Sequence, residues 1–222
     1  MTLSVEDTGP SRALRALESG SPSVRLRAAL EIGTTPDPRS VEALVARCAV
    51  EPDPGVRDML TWTLTRHPSS ITVPRLVREL RSERAQARSQ ALHTLSKIGD
   101  RRAWPAITRS LLTDADDQVA RSAWRAAVVL VPEDERAELA GVLATRLGRG
   151  GPEVQRSLAR ALAALGEAVV PVLRAAGTDP DPRVRRHAAA AERLLHDPDA
   201  GSEWAVGEAQ RTVALGGDGR EG

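Results

Sequence analysis

Gln86-Ala-Arg-Ser-Gln-Ala-Leu-His-Thr-Leu-Ser-Lys-Ile-Gly99 decides how this chain folds, because versions of it recur on both sides at nearly fixed spacing. Its positions Ala87, Ala91, Thr94, Leu95 and Ile98 follow the three-to-four spacing of one helix face, and the alternation of a strand is missing. Aligned on the apolar residue that opens each copy, the series reads Val24, Val56, Ala87, Val119, Val154 and Val184, with separations of 32, 31, 32, 35 and 30 residues. Periods of that size mean stacked supersecondary units, each contacting its neighbours.

A second helix precedes each of these. Val73-Pro-Arg-Leu76, Trp104-Pro-Ala-Ile107 and Val170-Pro-Val-Leu173 occupy one slot, and Val41-Glu-Ala-Leu44 fills it without the proline. Proline is tolerated in a first turn because the N–H it lacks has no partner inside the helix. Each unit is therefore a helix A, a tight turn, a helix B and a short connection built from Asp-Pro or Gly. The expected pairs are about 11–19 with 22–33, 38–50 with 53–67, 71–81 with 84–98, 102–113 with 116–131, 133–148 with 152–165, and 167–176 with 181–196. A last helix over about 200–214, carrying Trp204, caps the sixth pair; residues 1–10 are expected to be disordered and 216–222 to form a flexible Gly-rich tail.

Thr178-Asp-Pro-Asp-Pro-Arg-Val-Arg185, Leu95-Ser-Lys-Ile-Gly-Asp-Arg-Arg-Ala-Trp-Pro-Ala-Ile107 and Glu51-Pro-Asp-Pro-Gly-Val-Arg57 resemble bacterial HEAT repeats of the phycobilisome-lyase type. The resemblance covers roughly residues 11–196. It implies an all-α, right-handed α-α superhelix, a HEAT-repeat solenoid of about six helix pairs running as one domain over 11–215. It also implies that the B helices line a concave side, and that an Asp near each turn pairs with the Arg following the opening residue: Asp53 with Arg57, Asp181 with Arg185. Arg25 and Arg88 hold the same place, although the third unit has Glu83 and Arg84 where the Asp belongs. Such arrays serve scaffolds, nucleic-acid binders and a few enzymes, so the fold does not fix the function.

Composition narrows the classes. The chain has 31 basic and 30 acidic residues, and Lys97 is its only lysine, an arginine usage that high-GC coding explains without nucleic acid. Phe and Tyr are absent, so the core is built from Ala, Leu, Val and Ile with Trp as its aromatic. No apolar run reaches the roughly 20 residues of a membrane span. The acidic start Met1-Thr-Leu-Ser-Val-Glu-Asp does not read as a signal peptide, which makes the cytoplasm the default location. Cys48 is alone and reads as a small buried hydrophobe. No Cys/His cluster, phosphate loop, nucleophile elbow or HExxH motif is present, so no metal, no cofactor and no small-molecule substrate are expected.

Candidate contacts lie on the B helices. Counting the opening residue as zero, offsets two, five, six and nine fall on the face away from the core at 100° per residue. They hold Asp58, Thr61, Trp62 and Thr65; Ser89, Leu92, His93 and Ser96; Arg121, Trp124, Arg125 and Val128; and Arg156, Ala159, Arg160 and Ala163. Trp62, His93, Arg121, Trp124, Arg125, Arg156 and Arg160 are the expected partner-binding residues, since Trp and Arg anchor binding hot spots. The alternative for Trp62 and Trp124 is that they fill the groove between neighbouring units. Trp104, in the helix-A slot, is expected in the core; His187 falls toward the core side, and His67 and His196 end helices.

Arg75 to Arg109 contains nine basic and three acidic residues, whereas 197–222 contains six acidic and two basic. Arg75, Arg78, Arg81, Arg84 and Arg88 thus form a secondary basic patch that reads either as a phosphate-backbone contact or as a solvated helix surface. The expected function is a non-catalytic adaptor that holds a protein partner, or an acidic segment of one, in the B-helix groove. A nucleic-acid-backbone binder is the alternative. The HEAT-like-repeat alkylpurine DNA glycosylases are similar in having groove tryptophans and a carboxylate, but they place the Asp four residues after a Trp, whereas Asp58 stands four before Trp62. No catalytic residue carries over.

Overall fold

The structure, a computed structural model, describes residues 9–197, with side chains from Arg12 onward. Residues 1–8, the expected capping helix with Trp204 and the Gly-rich tail lie outside the described residues. The chain divides into two compact units that meet between Pro132 and Glu133. Among the described residues every regular element is helical.

The first unit runs α1 (Gly9–Ala16), α2 (Pro22–Thr34), α3 (Val41–Cys48), α4 (Pro54–Thr65), α5 (Ser69–Glu79), α6 (Ala85–Ile98), α7 (Arg109–Leu112) and α8 (Asp117–Leu130), with 3-10 turns at Pro38–Ser40 and Arg101–Ala106. The B helices α2, α4, α6 and α8 pack side by side, and α1, α3, α5 and the 101–112 segment cover them. The second unit holds α9 (Arg136–Ala144), α10 (Pro152–Ala163), α11 (Val170–Ala176) and α12 (Pro182–His196), with α10 on α12 and α9 on α11. This is an all-α superhelical repeat fold.

Small side chains let the B helices approach closely. Ala87 and Ala91 of α6 and Ala120, Ala123, Ala126 and Ala127 of α8 are buried, with Leu95, Val119 and Leu130. The Ser89 and Ser122 hydroxyls meet across that contact at 3.0 Å, and the Thr63 hydroxyl on α4 donates to the Ala29 carbonyl on α2 at 2.8 Å. Such bonds satisfy polar groups that burial would otherwise penalise by about 1–3 kcal/mol each. Cys48 is buried, and burial pushes its thiol up to about 12. His187 is buried as well.

The turn chemistry differs from the expected Asp–Arg ladder. Asp53, Asp116 and Asp181 instead cap the B helices, accepting from the backbone N–H of Val56, of Gln118 and Val119, and of Arg183. The arginines turn back on their own connection. Arg25 Nη1 donates to the carbonyls of Ser19 and Gly20, Arg57 to Glu51 and Pro52, Arg88 to Ser82 and Glu83, and Arg185 to Asp179 and Pro180. A guanidinium five and six residues past these carbonyls satisfies oxygens of the connection between helix A and helix B, which no helix ladder pairs. The third unit needs no Asp for this, so the substitution at Glu83 and Arg84 does not break the series.

Two helix-A expectations change. Helix α5 starts at Ser69, so Pro74 sits in its interior and not in its first turn. The fourth helix A is not continuous over 102–113. A 3-10 turn ends at Ala106, Thr108 takes an extended ψ of 158°, and its hydroxyl opens the short α7. Pro105 inside the turn has no N–H to continue a ladder, which favours the break. Trp104, expected in the core, is consequently half-buried.

Candidate functional site

The structure separates the four offsets of the B helices. At offset five Thr61, Leu92, Trp124 and Ala159 are all buried, with exposures of 4%, 0%, 0% and 0%. At offset six Trp62, Arg125 and Arg160 are exposed and His93 is half-buried. One residue of rotation decides this: at offset five the Thr61 hydroxyl lies 3.5 Å from that of Thr94 on α6 and the Trp124 indole bonds into α7, while offset six stays open to solvent.

Trp124 is therefore not a contact residue. Its indole N–H donates to the Leu112 carbonyl at 2.8 Å, across to α7, and the ring is enclosed. It fills the groove between elements, one of the two readings its position allowed. Trp62 is 39% exposed and lies across Gly33 of α2, with the Arg66 guanidinium 5.9 Å from its ring centre. The cation over the ring adds about 0.5–1 kcal/mol at an exposed site and orients the indole.

Leu30, 41% exposed, stands at offset six from Val24 and extends the row to α2. Sequence reasoning missed it by starting the count at the second unit. The first unit thus presents Leu30, Trp62, His93 and Arg125 on successive B helices, apolar at one end and basic at the other.

The basic end is electrostatically distinct. Burial, helped by Arg125 and Lys97 and opposed by Asp58, holds the His93 imidazole below its ordinary value. Burial and then Arg121 pull Arg125 below the usual guanidinium range. Arg125 donates to the Ser122 hydroxyl at 3.0 Å, and among the described residues no carboxylate pairs with it. A guanidinium that has lost part of its hydration beside a second one is an anion site in waiting. Half-buried Arg121 shares this end. In the second unit Arg160 of α10 is exposed, and Arg156 is partly buried with Glu153 at 3.7 Å.

The secondary basic patch is broken up. Arg75 is bound by Glu42 at 2.5 Å and Glu79 at 2.6 Å, Arg78 lies 3.7 Å from Glu42, and Arg88 is tied into its turn and to Asp114. Arg81 and Arg84 are exposed. Three of the five cations thus already face a carboxylate. Among the described residues no group of three or more His, Cys, Asp or Glu side chains is placed to hold a metal, and no helix is long and apolar enough to cross a membrane.

Layered helix pairs with an interrupted A layer and a continuous B layer define the first unit as a helical-repeat array. Residues 42–128 match the family model of HEAT repeats. The karyopherin Kap121p, solved bound to the extreme C-terminus of the protein phosphatase Cdc14p, superposes with a TM-score of 0.59 at 17% identity over 84% of this chain and 23% of its own. That likeness is one of fold. The CpcE–CpcF complex of phycocyanin lyase from Nostoc sp. PCC7120 gives 0.49 at 21% identity over 88% of this chain and 78% of that one. An engineered protein gives 0.48 at 17% identity over 84% and 98%. No curated protein matches the sequence.

Proposed function

We propose that this chain is a non-catalytic HEAT-repeat adaptor of the cytoplasm, and that the B-helix face of its first unit binds an acidic, partly apolar segment of a partner protein. The observation that carries this reading is Arg125: exposed yet partly desolvated, beside Arg121 and His93, without a carboxylate among the described residues, and in line with exposed Trp62 and Leu30. A carboxylate delivered there makes charge-assisted hydrogen bonds worth about 1.5–3 kcal/mol each. Trp62, already oriented by Arg66, buries its free face at little entropic cost, as hot-spot tryptophans do. The segment therefore lays apolar residues on α2 and α4 and acidic residues on α6 and α8. Arg156 and Arg160 are the corresponding contact residues of the second unit. Kap121p, a similar array, holds a protein C-terminus, which is the kind of ligand proposed here.

Affinity capture from lysate, with and without nuclease, tests this reading by comparing wild type with a Trp62→Ala/Arg125→Ala variant. A nuclease-resistant protein captured by wild type and lost in the variant is expected. Capture abolished by nuclease would replace the adaptor with a nucleic-acid-backbone binder, and capture unchanged by the variant would place the contact on another face.

A further inference from the structure

Helix α12 is the last described element of the second unit, and it exposes an alanine at a place that the preceding B helices bury. Counted from the opening residue, offset five is Ala29, Thr61, Leu92, Trp124 and Ala159 in α2, α4, α6, α8 and α10, all of them buried. Contacts in the first unit show what covers that side. The Ala29 carbonyl accepts from Thr63 of α4, the Thr61 hydroxyl lies 3.5 Å from that of Thr94 on α6, and at offset two the Ser89 hydroxyl lies 3.0 Å from that of Ser122 on α8. Offsets two and five thus face the B helix that follows. In α12 they are Arg186 and Ala189, both exposed, and exposed Arg193 continues the same stripe one turn further on. No helix follows α12 among the described residues.

The bare face is cationic. Arg183 is paired with Asp181 at 3.0 Å, and Arg185 donates to the carbonyls of Asp179 and Pro180, so both are engaged at the turn. Arg186 and Arg193 pair with no carboxylate among the described residues, and Glu192 is the only acidic residue of the helix. Two cations around a small residue select what can settle there. A second α12 would set like charges against each other, and a wholly apolar helix would strip water from the guanidiniums without replacing it.

Residues 198–222, which follow α12 directly, have the complementary chemistry. They carry Asp199, Glu203, Glu208, Asp218 and Glu221 against Arg211 and Arg220, with Trp204 and Val206 set among the acidic positions.

We propose that this acidic stretch covers the outer face of α12, with Trp204 and Val206 over Ala189 and carboxylates beside Arg186 and Arg193, and that salt releases it. Covalent attachment keeps the stretch at a high local concentration, so weak contacts suffice to hold it. Where the first unit fills the equivalent place with Leu92 and Trp124, α12 offers only a methyl group, so little apolar surface is buried. Exposed ion pairs then carry the contact, and added salt screens them. The cover is separate from the B-helix face of the first unit and stands whether or not that face binds a partner.

The test follows the nitrogen-15 indole resonance of Trp204 in the full chain, with a synthetic peptide of residues 198–222 as the free reference. At about 0.01 M salt the resonance should differ from that of the peptide. Raising salt to about 1 M shortens the screening length from about 30 Å to about 3 Å, and should move the resonance most of the way to the peptide position. Arg186→Glu/Arg193→Glu should produce the same move at low salt, and adding Glu203→Arg/Glu208→Arg should reverse it. Both arginines are exposed, so the variant keeps its fold, and the salt titration of the unaltered chain decides independently. A resonance that matches the free peptide at low salt overturns the proposal. So does one that ignores salt or the arginine substitutions, and so does one that shifts with chain concentration, which would make a second copy the occupant.

Discussion

The Trp62 ring of α4 lies directly on the backbone of Gly33 in α2. A Cβ at Gly33 would come within 3.0 and 3.1 Å of ring atoms Cε3 and Cη2 and closer still to Cζ3. The indole thus bridges two repeats on its inner side and offers its outer side to solvent. Gly33→Ala should push the ring away. The overpacking costs about 1–3 kcal/mol, and the better helix propensity of alanine returns up to about 1, so a net loss on the order of 1 kcal/mol is expected in urea unfolding. A variant as stable as wild type would mean that the ring does not rest there.

The two B-helix tryptophans should behave oppositely. Trp124→Ala empties a fully enclosed site and strands the Leu112 carbonyl, so a loss of about 3–5 kcal/mol is expected. Trp62→Ala removes a ring exposed by 39%, and a loss of about 1 kcal/mol should accompany a marked loss of partner binding. Denaturant midpoints and partner affinity for both variants check the pair. Equal destabilisation would contradict the division of roles.

Glu51 is the acidic hub of a cluster with Arg25 and Arg47. Burial alone would raise its carboxyl, but hydrogen bonds from Arg25, the Asp53 N–H and Arg47 outweigh burial and hold it at about 2, against an ordinary 4.5. A carboxyl lowered in the folded state contributes stability that is complete above pH 4.5 and is lost as the pH falls from there toward 2. Glu51→Gln should cost about 3–5 kcal/mol at neutral pH, because Arg25 is left buried without its charge partner. The variant should also lose that part of the acid dependence. Parallel acid-unfolding curves for variant and wild type would refute the assignment.

His187 ties the glycine-rich connection of the second unit to α12. Its Nδ1 accepts the Gly148 N–H at 3.0 Å, so the proton sits on Nε2, which donates to the Gln155 carbonyl at 2.8 Å. Burial lowers its pKa below 6.5, with the Gln155 bond opposing. The unfolded chain therefore takes up this proton first, and stability of the second unit should be constant above about pH 6.5 and decline below it. Hydrogen exchange of the α10 and α12 amides between pH 5 and 8 reads this directly. His187→Gln should flatten the profile, and an unchanged profile would assign the dependence elsewhere.

Much of the fold was legible because the physics was local and repeated. The period marks a buried position at Val56, Ala87, Val119 and Val154 and a half-buried one at the terminal Val24 and Val184, and the turn aspartates precede helices where capping oxygens belong. What escaped depends on neighbours. A helical wheel of α8 alone puts Trp124 and Arg125 together on the far side, but Trp124 is enclosed and bonded to α7 while Arg125 stays exposed. The arginines after the opening residues were legible as structural, although their acceptors are carbonyls of the preceding turn, a partnership that no side-chain pattern displays. The break at Thr108 follows from Pro105 and a threonine cap within a stretch whose apolar pattern alone reads as continuous helix. Of the site, the offset-six row was readable and the shielding of Trp124 was not.

The most direct measurement follows the indole N–H and arginine Nε–H resonances of the nitrogen-15-labelled chain during titration with the captured partner segment. Saturable shifts at Trp62 and Arg125, with Trp124 unmoved and with binding that weakens as salt rises, are expected of an acidic, partly apolar segment on the B-helix face. A segment that binds while leaving Trp62 and Arg125 unperturbed would contradict the placement of the binding face.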